Sequence, residues 1–245
     1  MTSYTDFARL YDALMTDIPY DQYVAKVLSS FGNPKGKSLL DIGCGTGILS
    51  EKFALEGLSV QALDLSEDML AVAEQRFQNS KMDIPLYCMS MTEMTGIEDL
   101  DVAIIAIDSL NYLESETDVK ETFSAVYASL KKGGHFFFDV HSTYKMDELF
   151  LNGPFTFEDD NLAYIWYTEK GENPHSVYHD LTFFVKNDNG LYERFEESHF
   201  QQSFDEQHYR TWLNETGFST IQVQADWTSK CPSATSERLF FHAIK

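Results

Sequence analysis

Leu39–Gly47 reads LLDIGCGTG, and this stretch decides the fold. The apolar run Ser38–Ile42 has the length and composition of a buried strand, and Ile48–Leu55 beyond the glycines reads as a helix. The glycines therefore occupy a strand-to-helix turn, where a missing Cβ permits positive φ and lets the backbone approach a ligand closely. A dinucleotide loop of this kind is spaced G-x-G-x-x-G. Here Gly43, Gly45 and Gly47 alternate, and the place of the third glycine is taken by Ile48, whose branched side chain hinders packing around a pyrophosphate. Asp41 adds a negative charge ahead of the loop. That charge opposes a pyrophosphate and suits a ligand with a cationic amine, so an NAD-dependent oxidoreductase is the weakest reading.

Outward from the loop, Lys37–Val140 alternates short apolar runs with amphipathic segments, the pattern of repeated βα units. LSVQALD gives a second strand, and SEDMLAVAEQRFQ a helix with Ser66 placed to cap it and acids in its first turn. IPLYCM, DVAIIAID and HFFFDV supply three more strands, and the spacing predicts a helix through ETDVKETFSAVYASLKKGG that ends in its lysines and glycines. From about Phe155 to Phe200 the texture becomes antiparallel β in three strands, with NDNG at Asn187–Gly190 as a hairpin turn. A helix over DEQHYRTWLNETGF and two closing strands, STIQVQADW and ERLFFHAIK, complete the chain. The division is an N-terminal helical lid segment over 1–36, with helices around Asp6–Leu14 and Asp21–Phe31. An α/β core follows over 37–150, then a β insertion over 151–203 and a C-terminal helix and two strands over 204–245 that rejoin the core sheet.

The chain has 245 residues, enough for one large domain, and a net charge of −21 spread along its length. Such a surface repels a phosphate backbone, so no nucleic-acid partner is expected. No apolar run approaches the roughly 20 residues that span a bilayer. The N-terminus does not read as a signal peptide, and Cys44, Cys88 and Cys231 make no disulfide framework. The expectation is a cytoplasmic protein without a membrane partner.

S-adenosylmethionine carries the cationic amine that Asp41 suits, and a ribose besides. Asp64, at the tip of the second strand, stands where a carboxylate accepts ribose hydroxyls. FARLYDALM (7–15), LDIGCGTG (40–47), LDLSEDML (63–70), DSLNYL (108–113) and FDVHS (138–142) together make the chain similar to the class I S-adenosylmethionine-dependent methyltransferases. Within them it resembles the YqeM-like bacterial group and, more distantly, the deoxysugar N,N-dimethyltransferases. The resemblance implies a Rossmann-like α/β sheet of seven strands, the last antiparallel, with an antiparallel β insertion after the fifth. It also implies that Asp41 and the backbone at Gly43, Cys44 and Gly45 hold the methionine end, and that Asp64 takes the ribose. Leu65 and Met69 would then pack near the adenine, and Tyr11 would lie over the cofactor. Where the family usually has an acid reading the adenine amine, this chain has Ser90, followed by Met91. A neutral hydroxyl is the weaker acceptor.

Methyl transfer is an in-line displacement, so the protein chiefly aligns the acceptor, excludes water and manages a proton. In AIDSLNYL, Ile107 and Asp108 are expected to flank the cofactor and Asn111 and Tyr112 to line the acceptor pocket. His141 and Tyr11 are the candidates for handling a proton, and the plainer alternatives are a helix cap for His141 and a lid for Tyr11, with Tyr4 and Tyr20 beside it. His175 and His179 have a metal-like spacing, but residues four apart on a strand lie about 13 Å from each other, too far for one zinc, so no metal is implied. The leading reading is a methyltransferase acting on a small amine or hydroxyl. Its alternatives are a non-catalytic S-adenosylmethionine-binding regulator and an RNA or protein methyltransferase. The aromatic insertion either roofs the acceptor or joins a second copy of the chain as a homodimer.

Overall fold

A computed structural model describes residues 18–187 and 189–245. The stretch with Tyr4, Tyr11 and the first predicted helix lies outside them. In chain order the first elements are α1 (Tyr20–Leu28), β1 (Ser38–Ile42), α2 (Ile48–Leu55), β2 (Ser59–Asp64), α3 (Glu67–Asn79), β3 (Leu86–Cys88) and β4 (Leu100–Ile105). Then come α4 (Glu116–Ser129), β5 (Leu130–His141), and the insertion strands β6 (Phe155–Glu158), β7 (Leu162–Lys170), β8 (Ser176–Lys186) and β9 (Tyr192–Gln202). The chain closes with α5 (Glu206–Thr216), β10 (Ser219–Ala225) and β11 (Arg238–Ile244).

The main sheet has seven strands in the order β3-β2-β1-β4-β5-β11-β10, and β11 runs antiparallel to both of its neighbours. Side chains alternate across it. Leu40, Ile42, Ala103, Ile105, Phe136, Phe138 and Phe241 pack toward α4 and α5, whereas Leu39, Val60, Val102, Ile104, Phe137 and Phe240 pack toward α1, α2 and α3. A strand covered on both faces reads as a continuous apolar run, which is why β1, β4 and β5 are plain in the sequence. The order reverses beside β1, whose neighbours are β2 and β4. The chain leaves the carboxyl ends of these strands through the glycine loop, Asp64 and Ile107–Asp108, the crevice in which open α/β sheets bind ligands.

Two predicted elements differ. The helix expected to end in KKGG stops at Ser129, and Lys131–Gly134 open β5 instead. Lysine and glycine suit a helix end, but here the last carbonyls of α4 are met by a distant cation: Lys245 Nζ donates to Tyr127 O and Leu130 O. The backbones of Gly133 and Gly134 pair with Lys245. The insertion holds four strands in the order β6-β7-β8-β9, one more than its alternation shows, because β6 is only four residues long. Its predicted hairpin turn is set by Asn187, whose Oδ1 accepts the N–H groups of Asn189 and Leu191. Ser66 caps α3 as expected, its hydroxyl accepting Met69 N–H at 3.3 Å. Among the described residues no helix is long and apolar enough to cross a membrane.

Candidate functional site

The glycine loop is held from within. Gly43 and Cys44 both donate their N–H to Leu63 O, at 2.8 and 2.9 Å, and Gly45 N–H donates to Asp64 Oδ2 at 2.8 Å. In a phosphate-binding loop such donors point at the anion. Here they are consumed inside the protein, which removes the basis for pyrophosphate binding that the glycine spacing already disfavoured. The three glycines serve different ends. At Gly43 a Cβ would come within 2.9 Å of the Ser109 side chain, and at Gly47 within 2.7 Å of Phe77, so both are set by close packing. Gly45 has φ +54° and nothing within 4 Å of its Cβ position, so it is a backbone corner facing open space.

Around that corner stand the other predicted cofactor residues. Asp64 Oδ1 accepts Ser66 N–H at 2.9 Å, so each oxygen of this partly exposed carboxylate holds one backbone donor and keeps a lone pair. Burial raises its pKa, and the N–H groups of Ser66 and Gly45 oppose the rise. Leu65, next in the chain, is 72% exposed, an apolar platform left open beside an acid. Met69 is half-buried on the first turn of α3. Met91 packs on the glycine loop at Gly43, its methyl 3.6 Å from the Cβ position of that residue. Ser90 is half-buried, its hydroxyl paired with Thr92 Oγ1 at 2.8 Å and accepting Thr92 N–H. Asp41 is buried behind the loop, where Ser50 Oγ donates to it at 2.6 Å and burial pushes its pKa up to about 7. It does not face the open corner, so its charge acts on a ligand through the loop.

A second constellation closes the other side of the crevice. Ile107 and Asp108, neither a glycine, both have positive φ, 54° and 53°. Strain of this kind costs of order 1–3 kcal/mol per residue and persists only where the surroundings impose it. Asp139, buried on β5, supplies the imposition: its carboxylate accepts the N–H of Ile107 at 2.8 Å and of Asp108 at 3.1 Å. Arg238 at the start of β11 then bridges Asp139 and Asp108. Burial works to raise the Asp108 carboxyl, but the facing His141 and Arg238 outweigh it and hold the group far below the usual carboxylate range. Asp139 stays raised, because its burial outweighs the guanidinium.

His141 ends β5 with Nε2 3.4 Å from Asp108 Oδ2. A carboxylate only accepts, so the proton sits on Nε2, and the buried Nδ1 is a lone pair without a partner among the described residues. Burial lowers its pKa to about 4, which keeps the ring neutral near pH 7. The helix-cap alternative falls to its neighbour, since Ser142 Oγ accepts Lys145 N–H. Asn111 does not line a pocket. It is fully buried, accepting His141 N–H and donating to Gln202 O. Tyr112 is 47% exposed and meets His199 edge-on. The insertion joins the same cluster, for Gln201 Nε2 donates to Asp108 Oδ2 at 3.0 Å. His175 pairs with Asp147 while His179 accepts from Trp166 Nε1, so the two histidines take separate partners.

This crevice, a glycine corner without free amides flanked by an acid at the tip of β2, can be set beside known proteins. The profile of the methyltransferase-domain family matches residues 18–223. The chain belongs to this family. Its relatives include two provisionally named methyltransferases. The one from Geobacillus sp. (strain WCH70) is 45% identical over 99% of this chain and 100% of that protein. The other, YqeM of Bacillus subtilis (strain 168), is 42% identical over 99% and 97%. Among solved structures, an S-adenosylmethionine-dependent methyltransferase from Clostridium acetobutylicum ATCC 824 superposes with TM-score 0.89 at 28% identity, covering 98% of each chain. The amino pentose methyltransferase CalS10 of Micromonospora echinaspora, solved with S-adenosylmethionine bound, shares the fold at TM-score 0.74 and 19% identity over 96% and 97% of the chains.

Within this methyltransferase the sequence reading missed Asp139, Arg238 and Gln201. Asp139 and Arg238 each carry a faint signal, a charged residue in a largely apolar and aromatic strand (FFFDV, RLFF), whereas Gln201 sits in a strand of mixed polarity and carries none. A lone charge in a buried strand announces a partner without saying where along the chain it lies.

Proposed function

We propose that the enzyme transfers a methyl group from S-adenosylmethionine to a nitrogen or oxygen of a small molecule held between motif residues 107–112 and the insertion. The observation that carries the reading is the corner at Gly45. Open space before a positive-φ glycine, a carboxylate with spare lone pairs at Asp64, and an uncovered apolar side chain at Leu65 together suit a ribose carrying an adenine. When bound, the cofactor supplies a methyl group on a sulfonium centre, activated for displacement. The remaining work belongs to the chain. Asp64 orients the ribose, and Leu65, Met69 and Met91 cover apolar surface. Ile107 and Asp108 fix the wall beside the reacting centre through Asp139. An acceptor that took this methyl group would lose its proton to water or to His141 Nδ1, the lone pair without a partner among the described residues. A small acceptor agrees with the amino pentose handled by CalS10 and with a chain in which 39 acidic residues outnumber 18 lysines and arginines.

Calorimetric titration with S-adenosylmethionine, S-adenosylhomocysteine and NAD tests the first half. Binding of both sulfur ligands and not of NAD is expected, followed by release of S-adenosylhomocysteine with amines or alcohols. Binding without turnover on any acceptor would favour the regulatory alternative. The same titration has a pH signature. Asp41 titrates at about 7 and its ionised form attracts the cofactor's ammonium. The logarithm of the association constant should therefore rise with pH below that point, with a limiting slope of about one per pH unit. Asp41→Asn should flatten the rise. An unchanged slope in the variant would free Asp41 of this role.

A further inference from the structure

The middle rows of the insertion sheet's crevice-facing side are aromatic and poor in charge. Directly opposed residues of antiparallel strands share a face, and the register groups three rows. Phe157, Tyr164, Phe183 and Phe195 form one, Phe155, Trp166, Leu181 and Glu197 the next, and Thr168, His179 and His199 the third. This face roofs the crevice. His199 meets Tyr112 at 5.8 Å between ring centres, and Trp166 and His179 both pack on Phe150. One row further along, Gln201 bonds Asp108.

Across these three rows there is no lysine or arginine, and Glu197 is the sole carboxylate. Of the insertion's cations, Lys186 and Arg194 have the opposite parity and so lie on the far face, whereas Lys170 shares the parity of the three rows and stands one row beyond them, exposed at the end of β7 opposite Val177. On the core side, Arg238 is engaged by Asp108 and Asp139. Lys145 lies 5.1 Å from the centre of the Phe150 ring, within the field of Asp108, Glu237 and Asp139. Glu197 is half-buried with no ion-pair partner among the described residues, and burial alone raises its pKa.

We infer that the acceptor is an organic amine carrying no phosphate, its nitrogen recognised by Glu197 and the aromatic rows of Tyr164, Trp166, Phe183 and Phe195. The inference rests on the proposed placement of the acceptor beneath the insertion. An ammonium gains from the carboxylate and from aromatic faces alike. A phosphate or pyrophosphate brought to these three rows meets one like charge and no cation within them, and loses its hydration without replacement.

The test measures S-adenosylhomocysteine release for phenethylamine and a panel of other aromatic and alicyclic amines, for 2-phenylethanol, and for a nucleoside-diphosphate-linked amino sugar. Wild type is compared with Glu197→Gln, whose half-exposed position leaves folding to be verified by an unchanged melting temperature. The expected result is turnover of free amines in preference to the alcohol and the nucleotide-linked sugar. Glu197→Gln should raise KM for amines about tenfold, the loss of one charge-assisted hydrogen bond, with kcat within about twofold. Preference for the nucleotide-linked sugar, no turnover of any amine, or an unchanged KM in the variant would each overturn the inference. A wild-type protein that fails to bind S-adenosylhomocysteine would instead overturn the cofactor reading beneath it.

Discussion

Arg238→Met is expected to destabilise the free protein by about 3–5 kcal/mol, the cost of stripping a buried ion cluster of one partner. The guanidinium bridges Asp108 and Asp139, whose side chains are 18% and 0% exposed. Without it two carboxylates remain together in the protein interior. Asp139 also holds the N–H groups of Ile107 and Asp108, so the strained pair at φ 54° and 53° loses the fixed charge that keeps its anchor ionised. The deficit has a pH dependence of known sign. In wild type Asp108 is depressed, so its contribution is present above the unfolded pKa of about 4 and is lost only as pH falls below it. In the variant both carboxyls are raised, folding takes up protons, and the deficit should shrink from pH 7.5 toward pH 5. Urea unfolding at the two pH values reads this directly. Adding Asp108→Asn and Asp139→Asn to the variant should recover part of the loss, because neutral amides need no counter-ion. A deficit below about 1 kcal/mol at pH 7.5, the size of an ordinary surface pair, would show that the cluster does not support the wall.

The cofactor half was legible in the sequence for a physical reason. A parallel strand buried on both faces must be apolar throughout, and a loop that turns at its tip must contain glycine, so β1, the glycine turn and Asp64 follow each other within a short stretch. What the stretch does not reveal is which N–H groups are spent. That Gly43 and Cys44 donate to Leu63 O is a fact of how the loop meets β2, and that Asp41 lies behind the loop against Ser50 is a fact of how β1 packs on α2. The misplaced end of α4 has the same origin. Lys131–Gly134 have the composition of a helix terminus, and the residue that settles the matter, Lys245, lies 115 positions from Leu130. The acceptor side was least legible, because its ion cluster joins β5 and β11 across 99 positions and its roof alternates in register with three other strands. The insertion's density of aromatics was visible, but which of its charges share the crevice-facing rows appears only once the register is known.

Asp64→Ala should lower the affinity for S-adenosylmethionine about 100-fold or more while leaving the protein folded. In the free protein the carboxylate accepts Gly45 N–H at 2.8 Å and Ser66 N–H at 2.9 Å. It thus shapes the corner as well as offering lone pairs to a ribose. Two charge-assisted hydrogen bonds to ribose hydroxyls would each contribute about 1.5–3 kcal/mol, and roughly 1.4 kcal/mol corresponds to tenfold in affinity. Stability should suffer far less than binding. Burial already raises the Asp64 pKa, so its charge is a burden on the free protein that the two backbone donors only partly offset. Asp64→Asn separates the two duties. The amide keeps one acceptor oxygen, so it preserves one of the backbone bonds, but it offers the ribose hydroxyls only neutral hydrogen bonds in place of two charge-assisted ones. Its affinity should therefore fall nearly as far as that of alanine, with a melting temperature closer to wild type. Calorimetry on the three proteins, with S-adenosylhomocysteine as a second ligand, distinguishes the cases. Loss of binding in both variants at similar melting temperature places the ribose on Asp64. Binding retained by Asp64→Asn alone would mean that the carboxylate acts by shaping the Gly45 corner, and binding retained by both would move the cofactor away from the tip of β2.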